Sequence, residues 1–315
     1  MPLPQLTVTL SARVDRWRND DGHNLETSAA TGQPTAGHVP SYAARDDVVA
    51  SPRAAARYHL GEKVDLWGNI GWGFRAPTLN ELYRPFRVGT DVTAANPALD
   101  PERLKGIEAG AEFAPSSRAR IGVTLFANRL EHAIGNVTLF DGPGTFPDIG
   151  FVPAGGTGSQ RRNLDEVEAH GIEIDARLSF AAWTLSAGYA HVVAEVVASG
   201  AALPLDGRRP AQTPGDTASA TLAWNRGAER RLAGARASLT ARYVGAQYED
   251  DLGSRKLPAA FTIDAAASLP VARGLSLEAR GENITDKRVV AGISGAGIVE
   301  RATPRTLWIG LSLRP

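Results

Sequence analysis

Long and short connections alternate along this chain, and that rhythm limits the possible folds more than any single residue does. Period-2 patterning marks about twelve strands. The links between them run long, short, long, short to the end. The long ones fall near 19–51, 76–101, 132–165, 197–215, 245–258 and 281–304, and the short ones near Gly61, 114–117, 181–182, 226–233 and 270–274. Antiparallel hairpins that are tight at one end and extended at the other describe a bacterial outer-membrane barrel, with periplasmic turns and extracellular loops. In soluble sandwiches, loop length does not follow which end of the sheet a loop occupies. The first strand runs into a long loop and the last emerges from one, so an even count leaves both termini on the short-turn side, as in single-chain bacterial barrels.

The strands are two-faced. In 64–75, Val64, Leu66, Ile70, Trp72 and Phe74 alternate with Asp65, Asn69 and Arg75; in 172–180, Ile172, Ile174 and Leu178 alternate with Glu173, Asp175 and Arg177. Side chains two apart share a face, so each strand has one apolar and one wet face. Weaker strands at 53–60 and 106–113 keep the alternation. Alternation alone also suits a soluble antiparallel sheet with one solvated side. The loop rhythm separates the two. The pattern predicts Val64, Leu66, Ile70, Trp72, Ile172, Ile174, Leu178, Ile263, Ile309, Leu311 and Leu313 on the outer face. It places Arg57, Asp65, Glu173, Asp175, Arg177, Asp264, Glu278 and Arg280 on the concave face.

Charge and cysteine content narrow the function classes. Thirty-four basic and thirty-four acidic residues cancel, so no global field favours nucleic acid. No apolar run reaches the roughly 18 residues of a transmembrane helix, and a barrel needs none. Cysteine is absent, which removes disulfides, zinc knuckles and thiol nucleophiles. The six histidines, at 23, 38, 59, 132, 170 and 191, show no metal-ligand spacing. The Gly-rich run from Asp141 to Gly158 lacks the Lys-Ser/Thr end of a phosphate cradle and reads as a mobile loop. No nucleophile–base constellation stands out, so an enzyme is not expected, and no resident cofactor or metal is implied.

Gly71-Trp-Gly-Phe-Arg-Ala-Pro-Thr-Leu-Asn-Glu-Leu-Tyr83, then Asn96-Pro-Ala-Leu-Asp-Pro-Glu102 and Gly106-Ile-Glu-Ala-Gly110, resemble the TonB-dependent outer-membrane receptors. Arg162-Asn163-Leu164 with Ala169-His-Gly-Ile-Glu173, and Gly281-Glu-Asn-Ile-Thr-Asp-Lys-Arg288 with Pro304-Arg-Thr306, follow in family order. The resemblance implies an all-β, antiparallel transmembrane barrel in the bacterial outer membrane. About 12 strands would be present, the C-terminal half of a barrel of about twenty-two. Residues 1–315 then form a single partial barrel domain, with neither signal peptide nor plug. It also implies active uptake of a scarce nutrient, such as a ferric siderophore or cobalamin. The partners would be outer-membrane lipid, a metal chelate or vitamin, and the TonB complex through a plug region absent here, with no nucleic acid. Leu313-Arg314-Pro315 departs from the aromatic residue on which the family closes. The alternative is a self-contained twelve-stranded outer-membrane pore, which requires Leu6–Val14 to pair with Leu307–Leu313. A soluble adhesion module is a third reading, in which the apolar faces meet another sheet.

Two features of the loops bear on ligands. Tyr83, Arg84, Phe86 and Arg87 combine rings with guanidinium groups, which suits an anionic, aromatic chelate; the plain alternative is a loop packing its own aromatics. Asn19-Asp20-Asp21-Gly22-His23-Asn24 and Glu249-Asp250-Asp251 gather hard oxygens without the spacing of a cation loop, and read as solvated loop polarity. Arg75, at the inner rim, is expected to pair with acids of neighbouring strands or of a plug.

Overall fold

The alternating faces build one large sheet. A computed structural model describes residues 5–35, 38–146, 149–225 and 234–313. Twelve antiparallel wall strands follow one another in chain order: β1 (Leu6–Asn19), β2 (Arg45–Leu60), β3 (Val64–Arg75), β4 (Glu102–Ser116), β5 (Ala119–Glu131), β6 (Glu166–Phe180), β7 (Trp183–Val197), β8 (Asp216–Asn225), β9 (Arg236–Val244), β10 (Ala260–Ala272), β11 (Leu275–Glu282) and β12 (Thr306–Leu313). Their connections alternate as the sequence predicts. Six loops, 20–44, 76–101, 132–165, 198–215, 245–259 and 283–305, gather at one end, and the tight turns at the other. The expected turn at 226–233 lies outside the described residues, as do Arg314 and Pro315.

Register fixes the faces, because residues directly opposite in antiparallel strands share one. Leu6, Tyr58, Leu66, Ala111, Val123, Ile174, Tyr189, Ala218, Tyr243 and Phe261 form a single row across β1–β10. The adjacent row holds His59, Asp65, Glu112, Gly122, Asp175, Gly188, Ser219, Arg242 and Thr262. The two residue sets assigned from the pattern fall on opposite faces throughout. The polar face is concave: it encloses a trough of about 900 Å³ lined by Trp67, Glu112, Arg120, Asp175, Arg177 and Thr221, among others. Arg57–Asp65 at 2.6 Å and Arg120–Glu112 at 3.3 Å pair across this surface.

Among the described residues, nothing packs on the apolar face. Leu10, Ile309 and Leu313 are 76%, 81% and 73% exposed, and the fully buried large side chains, Leu82, Leu99, Val137 and Val152, all belong to the loops. A soluble sandwich would place its core against these strands. A continuous bare apolar surface of this extent marks a membrane-facing wall. Phe180, Trp183 and Trp224 gather at the turn end, the two tryptophan rings 6.4 Å apart, and Trp72 and Phe74 lie at the loop end. Such aromatic girdles flank the lipid band of outer-membrane barrels. Among the described residues no helix is long and apolar enough to cross a membrane.

The first hairpin departs from the sequence reading. β1 continues beyond Val14 to Asn19, and β2 begins at Arg45 rather than near 53. Arg16 and Asp46 pair at 2.9 Å across this extension. Both of its faces carry charges, Arg16, Arg18 and Asp46 on one and Asp15, Arg45 and Asp47 on the other, so the alternation that marks strands in lipid fades where they rise above it. Pro52 does not stop β2, because pairing with β3 ends at Arg53 and the missing N–H falls where no ladder continues.

The sheet is open. β1 and β12 are its two ends, and no ladder joins them among the described residues. The pairing that a self-contained twelve-stranded pore requires is not formed.

Charge on the lipid face of such a wall costs about 2–4 kcal/mol at mid-depth. Ile174→Arg is therefore expected to reduce membrane assembly of the protein much more than Asp175→Arg, as read from the yield of folded protein in membrane fractions. Equal losses would contradict the face assignment.

Candidate functional site

At the loop end, β3 gives way to a short helix because Ala76-Pro77 cannot continue the ladder. Thr78 then caps α1 (Leu79–Tyr83) in a capping box: its hydroxyl accepts the Glu81 amide at 3.3 Å, while the Glu81 carboxylate accepts the Thr78 amide at 2.7 Å. Arg75 anchors this cap, donating to Glu81 at 2.8 Å and to Glu102, at the start of β4, at 2.5 Å. Glu102 is buried and also accepts the Ile134 amide at 2.7 Å, which draws in the third loop. The inner-rim arginine thus pairs with acids of its own neighbourhood. Burial alone would raise the Glu81 pKa, but the hydrogen bonds from Arg75 and Thr78 outweigh it and hold the group at about 2.

The motif asparagines tie the loops together. Asn96 donates to the Arg161 carbonyl at 2.9 Å. Asn163 donates to the carbonyls of Asp100 and His132, and accepts the Asp100 amide. Asn283, also buried, donates to the Lys287 carbonyl and accepts the Lys287 amide. Strands from two loops join in a four-stranded sheet, in the order Phe86–Val88, Asp91–Ala94, Thr157–Asn163, Ile134–Asp141, with the middle pair parallel. Ala133, Val137, Leu164, Val196, Ala198, Ala202 and Leu205 form a small apolar core beneath, and Leu252 packs against it.

The four ring and guanidinium residues do not converge. Tyr83 stacks on Tyr42 of the first loop, centroids 4.6 Å apart. Arg87 donates to the Phe151 carbonyl at 2.6 Å. The Arg84 side chain is exposed and has no partner among the described residues. Phe86 lies under the guanidinium of Arg161, 4.8 Å from its ring centroid, and lines a cavity of about 730 Å³ below the loops. The sequence reading does not mark Arg161. Its only signal is its place next to Arg162-Asn163, far along the chain from the ring it covers.

The cavity also brings in the second acidic cluster. Glu249, Asp250, Asp251 and Arg255 line it together with Phe86, Asp91 and Glu300. Asp250 is buried and Asp251 half-buried, and both are bonded within the loops rather than left to solvent as the sequence suggests. Asp250 is buried and accepts the Ser254 amide and hydroxyl and the Arg255 amide at 2.6–3.0 Å. Burial raises its pKa, yet these bonds and the Arg255 charge pull it below the usual carboxylate value. Asp251 accepts both the amide and the hydroxyl of Thr138, at 2.8 and 2.9 Å. These acids act as loop staples. The first cluster behaves as expected: Asp20 and Asp21 are exposed, and Asp20 pairs with Arg18 at 3.0 Å. Within the Gly-rich run, Gly144–Phe146 pairs antiparallel with Gly150–Val152. A Cβ on Gly156 would fall 2.2 Å from the Thr90 carbonyl oxygen, so glycine is needed for the second and third loops to touch.

A family model described as TonB dependent receptor-like, beta-barrel matches residues 1–284. The Vitamin B12 transporter BtuB of Photobacterium profundum is 25% identical over 240 residues, covering 75% of this chain and 34% of that protein. BtuB of Vibrio vulnificus is 31% identical over 114 residues, 36% of this chain and 15% of that protein. The chain therefore spans about a third or less of these relatives' length. Among solved structures, the Copper transporter OprC superposes with a TM-score of 0.73 at 17% identity, covering 99% of this chain and 46% of its own. The siderophore receptor PiuA from Acinetobacter baumannii gives 0.71 at 16%, covering 99% and 41%. At these identities the structures speak to the fold alone.

The Glu81 anchor gives the loop cap a pH dependence. A carboxyl whose folded pKa is depressed contributes stability that is complete above its ordinary value of 4.5 and is lost as pH falls through about 2. Leu79 is exposed and residues 1–315 hold no cysteine, so in the full receptor, with any cysteine outside this stretch replaced, Leu79→Cys carries a single fluorescent label. Label anisotropy is expected to be flat from pH 7 to 5 and to fall between about 4.5 and 2. With Glu81→Gln it should be lower and flat over the same range, and an unchanged titration in that variant would contradict the assignment.

Proposed function

Because the chain belongs to the TonB-dependent receptor β-barrel family, we propose that residues 1–315 are the C-terminal half of a bacterial outer-membrane barrel of about twenty-two strands. The observation that carries this reading is the pair of bare edges on β1 and β12. In lipid each unpaired backbone group costs several kcal/mol, so further strands are required to complete the wall. The polar concave face then lines a lumen, where a plug supplied by other parts of the receptor would sit and make the contact with TonB. The family's members bind and pass cargo; they are not enzymes.

The full receptor takes up a scarce, bulky cargo of the class its relatives handle. Vitamin B12 is named for the two sequence relatives, and siderophore or copper for structures of the same fold. The loops over the lumen offer an apolar ring at Phe86, the uncommitted guanidinium of Arg84, and a cavity large enough for part of such a ligand. Tyr83 and Arg87 hold the loop that presents them.

The test is equilibrium binding of cyanocobalamin, of ferric siderophores and of copper to the full receptor in detergent. For whichever cargo binds, Arg84→Ala with Phe86→Ala is expected to weaken affinity by about tenfold. The Arg84 share should shrink as salt rises, since an exposed charge is screened. Arg87→Ala should act mainly through loop order. Affinity unchanged in the double variant would remove these residues from the capture surface. Failure of cyanocobalamin, ferric siderophores and copper all to bind would overturn the uptake reading.

A further inference from the structure

We propose that Asp91 is the positioning residue that joins four of the six loops into one body over the cavity. Asp91 opens the return strand of the hairpin Phe86–Val88 and Asp91–Ala94, in the second loop. Its Oδ1 accepts the amide and the hydroxyl of Thr157, in the third loop, at 2.9 and 3.0 Å. Its Oδ2 accepts the Gly295 amide, in the sixth loop, at 3.0 Å, and stands 3.6 Å from the guanidinium of Arg255, in the fifth. One carboxylate thus binds segments 66 and 204 residues away along the chain.

The surrounding sequence is shaped for this approach. A Cβ on Gly295 would lie 2.2 Å from the Asp91 Oδ1, so any side chain there would displace the carboxylate from its present contacts. Among the described residues, Asp251, through Thr138, joins just the third and fifth loops. Hydrogen bonds to a charged acceptor are about twice as strong as neutral ones, and three converge on Asp91. Losing them, together with the Arg255 ion pair, removes ties to the third, fifth and sixth loops at once, whereas a local role would loosen only the hairpin that carries Asp91. The consequence is a preorganised rim: a ligand meets loops already ordered and pays less conformational entropy on binding. The inference concerns loop order and holds for any cargo.

Amide hydrogen exchange on the full receptor in detergent tests it, with wild type, Asp91→Ala, Asp91→Asn, Gly295→Ala and Asp251→Ala compared. In Asp91→Ala, exchange should rise about tenfold or more in three separate stretches, around Thr157, Arg255 and Gly295, while the wall strands stay protected. Asp91→Asn, which keeps the shape and one acceptor oxygen, should fall between this and wild type. Gly295→Ala should release the sixth loop from the opposite side of the same contact. Asp251→Ala should affect the third and fifth loops and leave the sixth unchanged. A response to Asp91→Ala confined to 86–94, or an equal reach for Asp251→Ala, would overturn the proposal. Should Asp91→Ala fail to assemble, Asp91→Asn and Gly295→Ala decide it by the same criteria.

Discussion

A β-sheet with one apolar face and two bare edges is unstable alone in water and in lipid alike, and the organisation of this chain follows from that constraint. Water leaves the outer face of Leu10, Ile309 and Leu313 uncovered. Lipid covers it but cannot satisfy the free N–H and C=O groups of β1 and β12. Lipid on the outer face and further strands at both edges satisfy both demands at once. Polar residues on the concave face are consistent with this, because a lumen holds water or a plug. The pairing of Arg57 with Asp65 and of Arg120 with Glu112 lets that surface carry charge without a large net field.

Above the lipid band the stabilising interactions change character. The wall is held by backbone ladders, whereas the loops are held by carboxylates and asparagines that accept or donate at several points. Arg75 ties β3, α1 and β4 through Glu81 and Glu102; Asn96, Asn163 and Asn283 close the loop roots; Asp91, Asp250 and Asp251 bind the loop tips. Order at the rim therefore comes from polar side chains and a small apolar core of Val137, Leu164 and Leu205. This division suits a receptor: the wall is fixed by the membrane, and the loops by their polar staples.

The wall was legible in the sequence because period 2 and loop length are local signals, and lipid enforces both. Strand order, face assignment and the ends at which loops and turns gather all followed from residues such as Val64, Asp65, Ile174 and Asp175. The upper parts of β1 and β2 escaped because Arg16, Arg18 and Asp46 stand above the lipid, where no apolar alternation is enforced. The rim was legible only in part. Spacing marks Tyr83, Arg84, Phe86 and Arg87 as neighbours, but their partners Tyr42, Phe151 and Arg161 come from other loops, and only the fold brings them together. The Glu249-Asp250-Asp251 run looked like solvated acid because nothing local announces that Thr138 lies against it. Gly156 reads as part of a mobile loop and nothing in the sequence marks Gly295, while both serve close approach between loops.

The most direct test of the account is the folding of the 315-residue chain with and without the strands that would complete the wall. Folded closed barrels resist denaturation and migrate anomalously on gels until heated. The isolated chain, refolded in detergent or lipid, is expected to show no heat-modifiable form and to aggregate through its open edges. The same chain within the whole receptor should give a robust heat-modifiable band. A sharp, heat-modifiable monomer from the isolated chain would contradict the central claim, because it would mean that β1 and β12 can close on each other.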